Sequence, residues 1–445
     1  MNGVLQWDER SSREEAEKPR TLTSFGIGAA VVALFLGSLQ MVASYKGFPG
    51  PLPSLWNDFF GTPKSMAIPW GGLALALVGV NARVRVVALS AAVVIDVVCA
   101  LIRLEAGHSF SIGNGAIIVL VGLGAYTLYL RDAGGLKAVC LGALLILATK
   151  AGDAWLHITT LVRPSVLDEY AQVADHALGN PSWIVGSGLA ALGPIVPAVL
   201  HWVYIQLPVA AIAIAIYQLR GLTTGRAWPT HYLVRTFLLI GLVGPIFYIL
   251  FPVVGPMFAF GPDGQGFQVG NFWPTHVPFD LSPSGIDFDA VTPRNCMPSL
   301  HTAWALSLFI HSRRGPWWLR LGGTAWLVCT VAATLGFGYH YGVDLVAGVV
   351  LCLTLESTLR DPERGWDAAR IRLVAYGSTV MAFLLLSYRY LAVPFGTYPE
   401  LFGPLILILM GSVVAMFYAT FFAAPGTAMA TWGGQVTPTR PAPSR

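Results

Sequence analysis

Charged residues are scarce in this chain. Lys, Arg, Asp and Glu make up 11% of its 445 residues, 55% are hydrophobic, and the mean hydropathy is +0.63. A soluble globular protein carries about 25% charged residues. The composition therefore excludes an ordinary soluble protein. Apolar runs of about 20 residues, each long enough to cross a bilayer core of about 30 Å, recur from Phe25 to Phe422. The alternation of apolar and polar residues that a membrane β-barrel requires is missing, and we therefore expect an all-α, polytopic transmembrane bundle.

The chain also lacks a basic stripe and a cysteine framework. The formal net charge of +4 is spread over short loops, which argues against nucleic acid as a partner. Four of the five cysteines lie within apolar runs, where cysteine acts as a small hydrophobic residue, and only Cys296 lies at a predicted water boundary. The spacings HExxH and CxxC are absent. We expect no disulfide framework, no metal, no cofactor and no obligate protein partner.

The apolar runs predict about twelve membrane spans. They are 24–44, 66–80, 87–103, 114–130, 139–162, 199–219, 233–252, 299–312, 321–337, 343–357, 373–391 and 402–423. With a cytoplasmic N-terminus, most of the 27 Lys and Arg residues fall on the cytoplasmic side, as the positive-inside rule requires. Both termini are then predicted to be cytoplasmic. The segment 183–200 fits a re-entrant helix, an interfacial helix or a further crossing.

The order of these segments predicts five regions. They are a cytosolic tail (1–22), N-terminal membrane helices (23–138), a catalytic core (139–357), C-terminal membrane helices (358–423) and a disordered tail (424–445). Within the core, the acidic segment 164–182 is predicted to be a solvated lid or connector. The long outer loop 253–298 is rich in aromatic residues, and we expect it to form an ordered cover over a functional site.

Two short motifs place ionisable groups at the mouths of apolar helices, where an unpaired charge is costly. In PSLH, Ser299 can cap a helix, and the free N–H groups of its first turn make an anion site beside His301. In HYGVD, His340 and Asp344 are four residues apart on one helical face. A carboxylate that holds one ring nitrogen leaves the other free to attack.

Together the two motifs favour a two-step phosphoryl transfer on the outer face. His340 attacks phosphorus, Asp344 orients it, and His301 moves the proton to and from the reacting oxygen. Either histidine alone would fit an ordinary interfacial residue equally well. The joint pattern on one face is what indicates an active site.

PSLH followed by HYxxD and small residues resembles the type 2 phosphatidic acid phosphatase superfamily. The likeness is greatest to its branch with inositol phosphorylceramide synthase and sphingomyelin synthase, and it covers about residues 233–357. The resemblance implies a six-helix phosphatase-like core. By position it also implies that His301 is the general acid and base, His340 the nucleophile and Asp344 its orienter.

The phosphate-binding residues of the family's phosphatases are missing here. Such enzymes usually have KxxxxxxRP before the first motif and an arginine six residues before the nucleophile. The loop from Val253 to Pro298 has no lysine, and Thr334 occupies the arginine position. Because a dianionic phosphate favours bidentate guanidinium contacts, the loss suits a phosphodiester donor better. Arg294, the one basic residue of that loop, can partly substitute or serve as an interfacial anchor.

A second set of polar residues lies within a predicted span. Lys150, Asp153 and His157 occupy one helical face at i, i+3 and i+7. Ionisable residues at membrane depth are functional candidates, and these three would line a pocket for the headgroup or acceptor. The alternative is mutual neutralisation, for instance of Lys150 by Asp153 or Asp96.

The sequence thus predicts an integral membrane phosphotransferase, located in a bacterial plasma membrane with its site facing outside. It would move a phospho-headgroup, such as inositol phosphate, from a phospholipid donor to the hydroxyl of a lipid or glycolipid acceptor. One alternative is a lipid-phosphate or polyprenyl-diphosphate phosphatase of the same superfamily. The other is a transporter with incidental histidines, which the number of spans and Lys150 would favour.

Overall fold

The computed structural model describes residues 2–222, 227–261 and 282–434, with side chains from Thr23 onward except that of Ser24. Helices account for nearly all of its regular structure, which confirms the all-α prediction. The chain forms two compact units, residues 1–155 with 215–228, and residues 156–214 with 229–445. The five-region division stays a prediction.

The first unit contains the N-terminal helices. These are α1 (Asn2–Lys46), α2 (Pro51–Phe60), α3 (Ala67–Leu77), α4 (Ala82–Glu105), α5 (Asn114–Tyr129) and α6 (Ala133–Val162), of which the last continues into the second unit. Apolar side chains such as Leu73, Ala92 and Leu120 form its core. Asp96 on α4 accepts hydrogen bonds from the backbone N–H groups of Gly113 and Gly115. This buried carboxylate therefore ties α4 to the start of α5.

The second unit contains the remaining helices and one pair of short strands. They are β1 (Ser165–Val166), α7 (Asp168–His176), α8 (Pro181–Ala191), α9 (Ile195–Ile205), α10 (Leu207–Leu219, which continues into the first unit), α11 (Leu233–Leu250), α12 (Pro256–Ala259), β2 (Ile286–Asp287), α13 (Leu300–Ser312), α14 (Trp317–Gly336), α15 (Gly342–Leu359), a 3-10 turn (Pro362–Arg364), α16 (Ala368–Tyr390), α17 (Ala392–Thr397), α18 (Pro399–Phe421) and α19 (Ala428–Trp432). β1 and β2 pair antiparallel.

The central helix of the second unit is α15. It packs against α11, α13, α16 and α18, and most of its residues are buried. A helix that is apolar on all sides is stable only when enclosed, and the sequence VDLVAGVVLCLTL meets that description. Both predicted catalytic motifs belong to this packing unit, because α13 carries His301 and α15 carries Asp344.

The chain is an integral membrane protein, with fewer helices of full spanning length than the roughly twelve spans predicted. Among the described residues, eight helices are long and apolar enough to cross a membrane, and nine if the bent pair α9 and α10 counts as one span. The runs 66–80, 114–130 and 299–312 form shorter helices. Turn residues lengthen only the run 66–80, whereas the other two runs match their helices to within one residue.

The segment 183–200 becomes part of two short helices, α8 and α9, of 11 residues each. At 1.5 Å per residue each spans roughly 16 Å, which is too short to cross a bilayer alone. Gly193, at a φ of +71°, separates them. α9 and α10 meet at an angle of 55°, where Pro208 has no N–H to continue the hydrogen-bond ladder.

The prediction of a solvated segment at 164–182 is also wrong. α7 is largely buried, including the acids Asp168 and Asp175. Both acids accept hydrogen bonds within the fold. The acidic sequence of this segment was therefore not a sign that it is exposed to solvent. Of the outer loop 253–298, which is predicted to cover the site, residues 262–281 lie outside the described part. Of the predicted tail 424–445, the described part includes α19.

Candidate active site

The first motif begins α13, as its sequence predicts. Ser299 is the N-cap, and its hydroxyl accepts a hydrogen bond from the backbone N–H of Thr302. The N–H of Ser299 itself donates to the carbonyl of Asp344, at 3.0 Å. This bond joins the start of α13 to the first turn of α15. His301 thus stands on a capped turn that is fixed to the second motif.

The second motif begins α15. Asp344 is the third residue of the helix, and its Oδ2 accepts from the backbone N–H of Tyr341, the N-cap residue, at 2.8 Å. The same oxygen lies 3.4 Å from Nδ1 of His340. Cys296 reaches both groups, with Sγ 2.7 Å from Asp344 Oδ2 and 3.2 Å from His340 Nδ1. Cys296 is buried within the fold.

The two imidazoles lie close together. The ring centroids of His301 and His340 are 6.5 Å apart, with the ring planes at 57°. An attacking nitrogen needs its target atom at about 3–3.5 Å, and a general acid needs its oxygen within about 2.6–3.2 Å. A separation of this size is one at which two rings can face the same phosphoryl group.

Burial keeps the candidate nucleophile uncharged. His340 is 4% exposed, and burial lowers its pKa to about 4, because taking an imidazolium out of water is unfavourable. At neutral pH the ring is accordingly unprotonated on one nitrogen. Burial also raises the pKa of the Cys296 thiol well above its usual value, and the thiol therefore retains its proton and can donate it.

The buried segment around α7 braces the turn that carries His340. Ser182 donates from its hydroxyl to the carbonyl of His340 at 2.6 Å. Asp175 accepts from the N–H of Val343, and Asp168 accepts from the hydroxyl of Tyr341. Three side chains from this segment thus hold the loop between α14 and α15.

Burial raises the pKa of both acids. The pKa of Asp168 rises to about 7, although hydrogen bonds from Val254, Gly255 and Tyr341 oppose the effect. The pKa of Asp175 is raised well above its usual value for the same reason, and the backbone N–H of Val343 again opposes it. The loop around His340 therefore rests on two acids whose ionisation is disfavoured by the fold.

Arg294 is fully buried near the site. Its guanidinium donates to the backbone carbonyls of Arg163, Thr292, Pro164 and Phe288. Four of the five N–H groups of an arginine side chain are thus used within the protein. The phosphate-binding role of Arg294 stays a prediction, as does that of Ser299.

The three polar residues of α6 have separate surroundings. Lys150 forms a buried ion pair with Asp58 of α2, and Asp153 pairs at the surface with Lys64 at 2.8 Å. The predicted neutralisation of Lys150 by Asp153 or Asp96 is therefore wrong. His157 is partly buried on the same helix, within the second unit. Their role in a headgroup pocket stays a prediction.

Two clusters among the described residues have donor atoms close enough to hold a metal ion. One is Cys296, His340 and Asp344. The other, at the far ends of α13 and α15, is His231, His311 and Glu356. In the second cluster Arg360 donates to the carboxylate at 2.6 Å and already balances its charge. A dication there would leave buried positive charge uncompensated, which favours a hydrogen-bonded clamp between α11, α13 and α15.

The sequence did not indicate one close contact of the site. Tyr204 on α9 stacks on His301, with ring centroids 4.0 Å apart at 19°, and its hydroxyl lies 3.0 Å from His301 Nδ1. A tyrosine within an apolar run carries no motif. Nothing in its spacing relates it to a histidine 97 residues away.

Comparison with known families finds two matches. The family of the PAP2 superfamily matches residues 174–356, a range that includes His301, His340 and Asp344. A domain of unknown function, DUF5933, matches residues 24–158. No curated protein and no solved structure matches the chain significantly. Residues 174–356 are thus similar to the PAP2 superfamily, and the protein is a membrane enzyme of the lipid phosphatase or phosphotransferase type.

Proposed function

We propose that the protein is a lipid phosphotransferase that acts through a phosphohistidine. It would move a phospho-headgroup, such as inositol phosphate, from a membrane phospholipid to a hydroxyl of a lipid or glycolipid. The observation that carries the proposal is the approach of His301 and His340 to a centroid distance of 6.5 Å, on helix starts that the hydrogen bond from Ser299 to Asp344 joins.

In the first half-reaction, the unprotonated nitrogen of His340 attacks phosphorus. The bond from phosphorus to the diacylglycerol oxygen breaks, and His301 gives that oxygen a proton. In the second, the acceptor hydroxyl attacks phosphorus, His301 takes up its proton, and the phosphorus–nitrogen bond breaks. Asp344 stabilises the positive charge on His340 while the intermediate exists.

The arrangement of cationic groups supports a phosphodiester donor. The loop from Val253 to Pro298 contains Arg294 as its one basic residue, and its guanidinium is bound to backbone carbonyls. Thr334, at the position of the arginine in the family's phosphatases, donates within its own helix to the carbonyl of Thr330. A phosphodiester carries one negative charge and needs fewer cationic contacts than a phosphomonoester, which carries two.

The proposal includes an orientation. Both termini would be cytoplasmic and the site would face outside, in a bacterial plasma membrane, as the distribution of Lys and Arg supports. A phosphatase that uses water as the acceptor would share the first half-reaction and the same residues. Water competes with the acceptor at the second step, and the choice between transfer and hydrolysis is therefore made there.

Reconstitution in vesicles tests the proposal. Purified protein would be given phosphatidylinositol, phosphatidic acid or an isoprenyl diphosphate, each with and without a diacylglycerol or glycolipid acceptor. We expect diacylglycerol release from phosphatidylinositol and appearance of the headgroup on the acceptor, both absent in H340N. Free phosphate from phosphatidic acid, at a rate that no acceptor lipid changes, would instead establish a phosphatase.

A further inference from the structure

Each catalytic histidine has its Nδ1 held by a residue outside the two motifs. For His301 the partner is Tyr204, whose hydroxyl lies 3.0 Å from Nδ1. The rings also stack at 4.0 Å. Trp304 meets the His301 ring edge-on at 5.9 Å. Tyr204 and Trp304 both restrict the imidazole ring of His301. Of the two, only Tyr204 has a polar atom near Nδ1 of that ring.

For His340 the partner is Cys296. The Asp344 carboxylate is 3.4 Å from Nδ1, beyond the usual range of a hydrogen bond to oxygen, which is about 2.7–3.2 Å. Cys296 Sγ lies between them, at 3.2 Å from Nδ1 and 2.7 Å from Oδ2. The aspartate therefore acts on the ring largely through the thiol.

We propose that Tyr204 and Cys296 are positioning residues that hold Nδ1 of His301 and of His340, so that both reactions take place at Nε2. The inference rests on the proposed function, since it assigns each residue a task within that reaction. With Nδ1–H of His340 donating to Sγ, and S–H donating to Asp344, Nε2 carries the lone pair that attacks phosphorus.

Tyr204 has a different task, because His301 gains and loses a proton during each cycle. If that proton moves at Nε2, Nδ1 must keep its hydrogen throughout and needs a constant acceptor. The phenolic oxygen of Tyr204 accepts that hydrogen in both states of the ring and stabilises the cation. The stacked phenol ring also prevents His301 from rotating to present the wrong nitrogen.

Tyr204→Phe tests the first partner, because it keeps the stacked ring and removes the hydroxyl. A misplacement of about 1 Å can cost about 100-fold in rate, and we expect kcat to fall by about 10- to 100-fold. KM should stay within about twofold because the hydroxyl does not bind the lipid. The alkaline limb of the pH profile should move to lower pH, since the cationic ring loses an acceptor.

The matched control is Tyr388→Phe. Tyr388 is fully buried in the same unit, and its hydroxyl has no hydrogen-bond partner among the described residues. We expect wild-type kinetics from this control. A Tyr204→Phe enzyme with the kcat and pH profile of Tyr388→Phe would overturn the role of Tyr204.

Cys296→Ala and Cys296→Ser test the second partner. Serine can still accept from His340 and donate to Asp344, whereas alanine can do neither. We expect alanine to lower kcat by about 10- to 100-fold and serine to restore at least part of it. The control is Cys352→Ala on α15, a cysteine that is equally buried. A Cys296→Ala enzyme as active as Cys352→Ala, or a folded serine variant no better than alanine, would overturn the role of Cys296.

The same assays separate this inference from the proposed function. H340N reports on the function, because it removes the nucleophile and leaves both partners in place. If H340N turned over substrate at the wild-type rate, the proposed function itself would be refuted. Suppose that H340N loses turnover while Tyr204→Phe and Cys296→Ala keep the wild-type kcat and pH profile. The proposed function would then stand, and the positioning roles would be refuted.

Discussion

The backbone of Ser299 lies directly against Gly348. A β-carbon on Gly348 would overlap the carbonyl oxygen of Ser299 and would lie 3.3 Å from its carbonyl carbon. This contact is one turn beyond Asp344 on α15 and two residues before His301 on α13. The absence of a side chain at this one position is what allows the two catalytic turns to meet.

Gly348→Ala should therefore lower activity more than stability. Alanine favours a helix by about 1 kcal/mol over glycine, but its methyl group must push the start of α13 away from α15. We expect kcat to fall by at least about 10-fold, since a shift of about 1 Å can cost about 100-fold. The control is Gly322→Ala on α14, where a β-carbon meets nothing within 4 Å. Equal activity of the two variants would contradict the close contact.

The raised pKa of Asp168 predicts how the stability of the fold changes with pH. Its pKa is about 7 in the folded protein, against a usual value of 3.8. Between these values the folded chain keeps a proton that the unfolded chain has lost, and Asp168 therefore lowers stability as pH rises from about 4 to 7. Asp175 contributes in the same direction, because burial raises its pKa also.

Thermal unfolding in detergent at pH 5 and pH 7.5 measures this effect. We expect the wild-type midpoint to be lower at pH 7.5, and the difference to shrink in Asp168→Asn, which cannot ionise. The control is Glu169→Gln, a neighbouring side chain at the surface that binds Ser284. If the midpoint differed between pH 5 and pH 7.5 by as much in Asp168→Asn as in Glu169→Gln, Asp168 would not be the source of the pH effect.

The two ion pairs of α6 should differ in their effect on stability. Lys150→Met leaves Asp58 buried without its partner, which typically costs about 3–5 kcal/mol. Lys64→Met breaks the pair with Asp153, whose side chains are 71% and 40% exposed, and such surface pairs contribute about 0–1 kcal/mol. The free energy of unfolding of each variant tests the difference. Similar values for both would contradict the buried pair.

Two features of the site could be predicted because they are local. The cap at Ser299 and the spacing of His340 and Asp344 depend on a single helical turn each. Their meeting followed from the positive-inside rule, which placed both helix starts on one face. The chemistry needed no knowledge of packing beyond that step.

The other features depend on packing between distant segments. Tyr204 reaches His301 because α9 packs on α14, which in turn packs on α13, and no pattern in an apolar run records such a contact. The burial of Cys296 and α7 was missed for a related reason. In sequence, polar residues that donate or accept hydrogen bonds within the fold look the same as exposed ones. The predicted spans outnumber the long helices because an apolar run of 14 to 17 residues does not show whether it crosses the membrane, as the short helices α3, α5 and α13 illustrate.

The central claim is that His340 becomes covalently phosphorylated in turnover. The most direct measurement is to incubate the protein with phosphatidylinositol labelled at phosphorus, quench it with denaturant at alkaline pH, and locate the label by peptide mass spectrometry. We predict an acid-labile adduct on His340 that disappears on adding an acceptor and never forms in H340N. Label on any other residue, or turnover that continues in H340N, would contradict the account.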